Sequence, residues 1–401
     1  MKPHLLVSVY QSEPLPSRAS SEFKGIIMKT ICSLLLLLIA VVTVFAQEES
    51  SGSKALNLTI GNTGISFGNA PRVNGIRINW SDSDLEEVNG INFTLWKASE
   101  KNPSGDINGL ALGIVSPSAD RIRGIALTPG AVLTGTSMEG VNLAGLALVS
   151  QGSVSGINVA GLAVVGQDDI TGLNLTLLGL VSQGSITGIS FGGLATVSQR
   201  SMNGFGFGGL ATIAQGDVNG FSIGGLATVA QGDVTGFSFG GLATVAHGAV
   251  TGITVGGLAT VAQGGVSGFS LGGLAVVGQE DISGISVGGV AVVGEKSISG
   301  ITGTLGQIET KGSVSGLNVA GYKIDARTVK GANITAIWTE TENIGYFTVG
   351  AYNRTYDTQT GLTIGLLNHA HNLAGIQIGL MNIVETNPEG LRYLPILNVK
   401  F

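Results

Sequence analysis

From Gly188 to Gly300 the chain repeats one pattern of apolar and polar positions every sixteen residues. Val234–Ala249 reads V-T-G-F-S-F-G-G-L-A-T-V-A-H-G-A, and the preceding period, Val218–Asp233, reads V-N-G-F-S-I-G-G-L-A-T-V-A-Q-G-D. A glycine recurs in phase at Gly156, Gly172, Gly188 and onward to Gly300. A fixed period of this size marks a quasi-one-dimensional array of stacked units. Each phrase is rich in Val, Ile, Phe and Thr and broken by Gly-Gly and Gln-Gly-Asp. That composition predicts two short strands separated by turns. Helix is disfavoured, because each interior glycine costs about 1 kcal/mol relative to alanine. Phe237 and Phe239 share one strand face and Ser238 takes the other. Phe205, Phe221, Phe237 and Phe269 are therefore expected to pack inside the stack as an apolar ladder.

Two all-β architectures accommodate this period. In an elongated β-solenoid of 16-residue coils, equivalent residues stack in parallel ladders. In an up-and-down outer-membrane β-barrel, each phrase is one strand and a turn. Three features favour the solenoid. The phrases show no two-strand alternation of the kind a barrel's two ends impose. One slot reads Gln151, Gln167, Gln183, Gln199, Gln215, Gln231, His247, Gln263 and Gln279, and glutamine ladders suit a parallel stack. The charges of the array, including Asp168, Asp169, Arg200, Asp217, Asp233, Glu280, Asp281, Glu295 and Lys296, fall in the turn after that slot and would line one edge. A water-filled barrel needs polar lumen residues and longer outer loops.

The segments outside the array have different patterns. Residues 1–27 resemble an unstructured extension, and Met28 reads as the true start. Residues 28–46 have the form of a signal peptide: Lys29, an apolar run from Ile31 to Phe45, and small residues at the Val44-Phe45-Ala46 cleavage site. The run is shorter than the ~20 residues of a spanning helix. The single cysteine, Cys32, lies within it, so no disulfide framework is expected. Residues 47–54 form a polar linker. Residues 55–108 read as an irregular N-terminal β cap with core tryptophans Trp80 and Trp96 and a solvated acidic edge, Asp82 to Glu87. That acidic spacing matches no calcium loop. Residues 109–401 carry the array and its divergent C-terminal coils.

Composition narrows the function classes. Charged residues make up 11% of the chain and glycine contributes 65 positions; the regular apolar slots argue for order rather than low complexity. Cleavage after Ala46 removes four of the 20 basic residues and two of the 26 acidic ones, leaving 16 against 24 and a net charge of −8. That balance carries no electrostatic footprint for nucleic acid.

A different phrase closes the chain: G-L-T-I-G-L-L-N from Gly361 to Asn368, then G-I-Q-I-G-L-M-N from Gly375 to Asn382. These phrases resemble the G-L-x-I-G-L-x-N glycine/leucine repeats of a family of short-repeat bacterial surface proteins. The tail Leu391–Phe401 suits the same resemblance, which covers the last forty-odd residues. The resemblance implies export and surface exposure and transfers no catalytic motif. The alternation of Tyr393, Leu397, Val399 and Phe401 toward a terminal aromatic also occurs in outer-membrane barrels, although a half-buried edge strand alternates in the same way.

No constellation carries chemistry. Gly204 to Gly209 fits G-x-G-x-x-G, but a strand rather than a helix is expected to follow. His369 and His371 share a strand face, with no third metal ligand evident; His247 only fills a glutamine slot. Asp168-Asp169 and Glu280-Asp281 are expected in exposed turns, where nothing separates their acidities. The serines have no histidine placed to activate them. A solenoid polysaccharide hydrolase would require acids clustered on one face, and no such cluster is apparent. Thr196, Thr212, Thr228, Thr244 and Thr260 form an in-phase ladder that would bind ice if it faced outward. The sequence thus points to an exported, non-enzymatic cell-envelope repeat protein with a structural, adhesive or binding role at the cell surface, outer membrane or periplasm. Catalytic residues, cofactors and metals are not expected, and no partner is named; the integral outer-membrane barrel is the alternative.

Overall fold

The structure is a computed structural model that describes residues 55–98 and 103–400. The extension 1–27, the signal segment 28–46 with Cys32, the linker 47–54 and Phe401 lie outside the described residues. The chain winds into a β-solenoid of about 18 coils of roughly 16 residues. Its strands form one continuous hydrogen-bonded sheet. Through the array the pairing is parallel and in register, one period apart: Val218 on Val234 on Val250, and Ala227 on Ala243 on Ala259. Strands of an up-and-down barrel run antiparallel to their neighbours, so the barrel alternative falls.

One coil explains the rest. A longer strand, Val234–Gly240, is followed by a tight Gly241-Leu242 turn and a short strand, Ala243–Ala246. Val234, Ser238, Gly240, Thr244 and Ala246 are buried, whereas Thr235, Phe237, Phe239, Leu242 and Val245 lie toward the outside. The strand period of two slips at Gly236, whose φ of 105° lets the strand bend. A side chain there would also overlap the carbonyl oxygen of Gly220 in the coil below. This double requirement recurs in each coil from Gly156 to Gly300 and accounts for the sixteen-residue glycine beat.

The interior is a set of columns. Val154, Ile170, Ile186, Met202, Val218, Val234, Val250 and Val266 stack as one buried apolar column. Facing it is a polar column of Asn142, Asn158, Asn174, Ser190, Ser222 and Ser238. Asn142 donates to Asn158 and Asn158 to Asn174, each at 2.8 Å. Parallel stacking delivers these side-chain bonds, because it places like residues at strand spacing, about 4.8 Å.

Three expectations are corrected here. The phenylalanines do not pack inside: Phe205, Phe221 and Phe269 are 36–38% exposed. Their rings form a ladder on the outer surface, with Phe221 centred 5.0 Å from Phe205 and 4.3 Å from Phe237. The inward slot at that height holds Ser, Thr, Asn or Gly, and the phenylalanine rings take the outward side. The glutamine slot is exposed in the turn, and the hydrogen-bonded amide ladders are the internal asparagines. The threonine ladder is fully buried, and each hydroxyl donates to a carbonyl of the following coil, as Thr196 does to Phe207 at 2.7 Å and Thr228 to Phe239 at 2.9 Å. Buried and committed in this way, it cannot meet ice.

Both ends are closed by an antiparallel strand. Leu56–Ile60 pairs with Thr63–Phe67, and Tyr393–Lys400 pairs with the Gly375–Ile383 stretch of the last coil. Such closure protects edges that would otherwise template association. In the first coils the polar interior contains an ion pair. Arg77 and Asp82 are both buried and bonded at 2.6 Å. Asp82 also accepts hydrogen bonds from Asn79, Asn92, Thr94 and the Ser118 amide. Asp82 is therefore not a solvated edge residue. Trp80 and Trp96 are not core residues either: they stack on each other outside, 63% and 48% exposed.

The columns compensate one another. At one level the apolar column holds Met202 instead of valine, and the serine slot opposite holds Gly206. A β-carbon at Gly206 would overlap the Met202 sulfur. Gly206→Ser should therefore lower stability by about 1–2 kcal/mol through overpacking. Adding Met202→Val should recover most of that loss, since it recreates the Val218/Ser222 pairing of the next coil. Denaturant titration of the four proteins of the cycle measures the coupling; additive effects would show that the two columns do not touch.

Candidate functional site

Two outer surfaces differ sharply in chemistry. The first follows the bent long strand through the array. Its outward slots hold Ile157, Leu173, Ile189, Phe205, Phe221, Phe237 and Ile253 in one row, and Leu175, Phe191, Phe207, Ile223, Phe239 and Val255 in the next. The turn adds Leu194, Leu210, Leu226, Leu242 and Leu258. The first row continues through Phe269, Ile285 and Ile301, and its ten stacked coils give a surface of roughly 43 by 15 Å. That exceeds the apolar patches of a few hundred Å² usual on monomers. The array's charges stay off this surface and occupy the turn after the short strand. There Asp217 accepts the amide of Asp233 at 2.9 Å and Asp233 accepts that of Ala249 at 2.7 Å, tying coil to coil. Asp169 likewise accepts from Ser185 at 2.7 Å and pairs with Arg200 at 3.0 Å, while Glu280 pairs with Lys296 at 2.7 Å.

The second surface lies on the outer side of the short strands, toward the C-terminus. The slot of Val293 becomes Glu309, Asp325, Glu340 and Arg354 in the following coils. The slot of Ala291 becomes Gln307, Lys323, Trp338 and Tyr352. In the turn, where the array keeps glutamine, stand Glu295, Lys311, Arg327, Glu342 and Tyr356. The Val293 slot up to Glu340 and this turn line a groove of about 1040 Å³ that crosses five coils, with the Ala291 slot and Arg354 beside it. The acids expected to be scattered are thus gathered on one face.

Most charged groups of this face are bound to one another, and Glu309 accepts from Gln307 at 3.0 Å. Lys323 bridges Asp325 and Glu340, each at 2.7 Å. The Tyr356 hydroxyl donates to Glu340 at 2.5 Å, Arg327 pairs with Glu342 at 3.1 Å, and Lys311 with Glu295 at 3.5 Å. Lys323 sits 4.8 Å above the Trp338 ring and Arg354 4.5 Å above that of Tyr356. Burial pushes the Glu340 carboxyl up, but hydrogen bonds from Lys323 and Tyr356 outweigh it and hold the group below its ordinary value. Burial likewise pulls Lys323 down, and its bonds to Asp325 and Glu340 more than restore it. The bond to Glu340, then burial, raises the Tyr356 phenol.

His369 and His371 do share a face. Between them stands Glu385, which the sequence did not single out: its two carboxylate oxygens lie 2.8 Å from His369 Nε2 and 2.8 Å from His371 Nδ1. Hydrogen bonds from His371 and His369 hold the Glu385 carboxyl below its ordinary value. Among the described residues no group of His, Cys, Asp and Glu is arranged to hold a metal ion. Gly204–Gly209 runs from the strand Met202–Gly208 toward the strand Ala211–Ala214, with no helix following.

The groove network should show its coupling in titration. Glu340 contributes stability above its ordinary value of 4.5 and loses it as pH falls through its lowered folded value. Lys323 contributes below 10.5 and loses its contribution as pH rises through the raised folded value. In carboxyl NMR of the intact protein, Glu340 should titrate below 4.5, and Lys323→Met should move it upward. A Glu340 midpoint indifferent to that substitution would contradict the bridge. Compared with protein-family models, curated proteins and solved structures, the chain matches none.

Proposed function

We propose that this is an exported, non-enzymatic repeat protein of the cell envelope whose array lies with its apolar side against a lipid surface. The observation that carries the reading is the outward row of Phe, Leu and Ile, continuous over many coils and free of charge. Residues of this size outside and Ser, Thr and Asn inside invert the usual arrangement of a water-soluble sheet protein. Apolar area of this extent gains most by meeting the acyl boundary of a membrane, as interfacial segments do. The signal-like segment at residues 28–46 and the resemblance of the G-L-x-I-G-L-x-N phrases to bacterial surface repeats support an extracytoplasmic setting. A non-enzymatic role is supported by the mutual pairing of the carboxylates in the groove. No nucleic-acid partner fits the acidic balance.

Because the apolar surface lacks basic residues, attachment should depend on area rather than on anionic lipid. The chain from Gln47 onward should float with vesicles of pure phosphatidylcholine and stay bound in 1 M salt. Phe221→Ser with Phe237→Ser and Leu242→Ser should reduce binding at least tenfold. Those sites are exposed, so the coil should stay folded by circular dichroism. A protein that remains in the aqueous fraction at all lipid concentrations would refute the reading.

A further inference from the structure

We propose that the groove across the C-terminal coils binds an uncharged, unbranched oligosaccharide chain lying along the solenoid axis. Three observations lead there. The first is shape. The groove spans the coils of Val293, Glu309, Asp325, Glu340 and Tyr356, roughly 19 Å at strand spacing, so it suits a linear polymer better than a compact molecule. Each coil presents the same slots, so a chain along the axis meets polar groups at regular intervals.

The second observation is the state of the charges. Glu295, Asp325, Glu340 and Glu342 are each joined to a lysine or an arginine, and Glu309 accepts from the neutral Gln307 amide, so most of the charge of the face is compensated within it. A charged ligand would have to displace a partner from these bridges. A sugar hydroxyl both donates and accepts, and can join a paired carboxylate and ammonium without breaking them. The bridges fix donors and acceptors before the ligand arrives, which lowers the ordering cost of binding.

The third observation is an aromatic ring at the groove. Tyr356 lines it and is 49% exposed, with the Arg354 guanidinium against one face of its ring and its hydroxyl held by Glu340. Such a fixed ring offers an apolar face to sugar C–H groups. Hydrolysis is not part of the proposal. A glycosidase requires one carboxyl kept protonated near neutral pH, and Glu340 is held in the opposite direction.

This site lies on a different side of the coil from the apolar rows, so it stands or falls independently of the membrane reading. The test is isothermal titration of the intact chain from Gln47 with three soluble probes: a neutral linear glucan oligomer series, poly-glutamate and poly-lysine. The expected result is saturable binding of neutral oligomers that strengthens with chain length to about four rings, with unchanged oligomer by mass spectrometry afterwards. Tyr356→Ala should weaken it at least tenfold, while Tyr356→Phe, which keeps the ring, should retain most of it. Phe237→Ser on the apolar side should leave it unchanged. A neutral glycan array extends the same probe to other uncharged sugars. Absence of binding to every neutral sugar, preference for either charged polymer, or full binding by Tyr356→Ala with its fold intact would each overturn the proposal.

Discussion

The narrow cross-section of the coil governs this molecule. Where the long strand turns into the short one the chain bends so tightly that a β-carbon at Gly240 would overlap the carbonyl oxygen of Ala243, three residues on, and the same clash recurs in the coils above and below. Val, Ile, Leu, Met, Ala, Thr, Ser and Asn fill the columns between the sheets, and among the described residues no aromatic ring is buried there. Parallel stacking supplies partners to many of the small polar groups there, asparagine to asparagine and threonine to the carbonyl of the next coil, while Thr254, Ser270, Ser286 and Thr302 in the Ser238 column have none. A buried hydroxyl without such a partner would cost about 1–3 kcal/mol. The Arg77–Asp82 pair follows the same rule in part in the first coils. Its carboxylate side is well supplied, Asp82 accepting from Asn79, Asn92, Thr94 and the Ser118 amide, whereas Arg77 bonds through Nη1 alone and its Nε and Nη2 are buried without a partner.

A described core that holds no aromatic ring leaves Phe, Tyr and Trp to the outward slots, and these slots form both surfaces. Through the array the outward slots of the long strand hold Phe, Leu and Ile. At the C-terminal end the outward slots of the short strand change to charged and aromatic residues while the inward columns continue, Ile308 on Ile324 and Asn318 on Asn333. The stack is a constant scaffold on which the outer residues are free to vary. The proposed division of labour, with one side against lipid and another toward a glycan, requires no change in the interior.

The coil length, strand content and parallel stacking were legible in the sequence because a fixed period leaves little freedom. The side-chain directions were not. Phe237 and Ser238 were correctly assigned to opposite faces, but the faces were exchanged, because a strand's alternation does not say which side is inside. The decisive cue was size: Ser238, Gly240, Thr244 and Ala246 are small, and a column of small residues fits only a narrow interior. The groove was missed for a different reason. Glu340 and Arg354 follow Asp325 after fifteen and then fourteen more residues, so a rigid sixteen-residue frame scatters residues that the shortened coils bring together. Glu385 escaped notice as a neighbour of His369 and His371 because it belongs to the following coil.

Parallel, in-register stacking is the claim on which the columns, the apolar side and the groove all rest. The most direct test uses three separate cysteine pairs in the chain from Gln47, which has no cysteine of its own: Asn219/Thr235, Phe221/Phe237 and Val229/Val245. Each pair is in register between adjacent coils, about 4.8 Å apart. Nitroxide labels on every pair should show strong spin exchange in the electron paramagnetic resonance spectrum, with single-cysteine proteins as references. In an antiparallel arrangement, partners share a constant sum of residue numbers, so at most one of the three pairs could meet. Exchange in all three is the predicted result; exchange in one pair or none would contradict the solenoid.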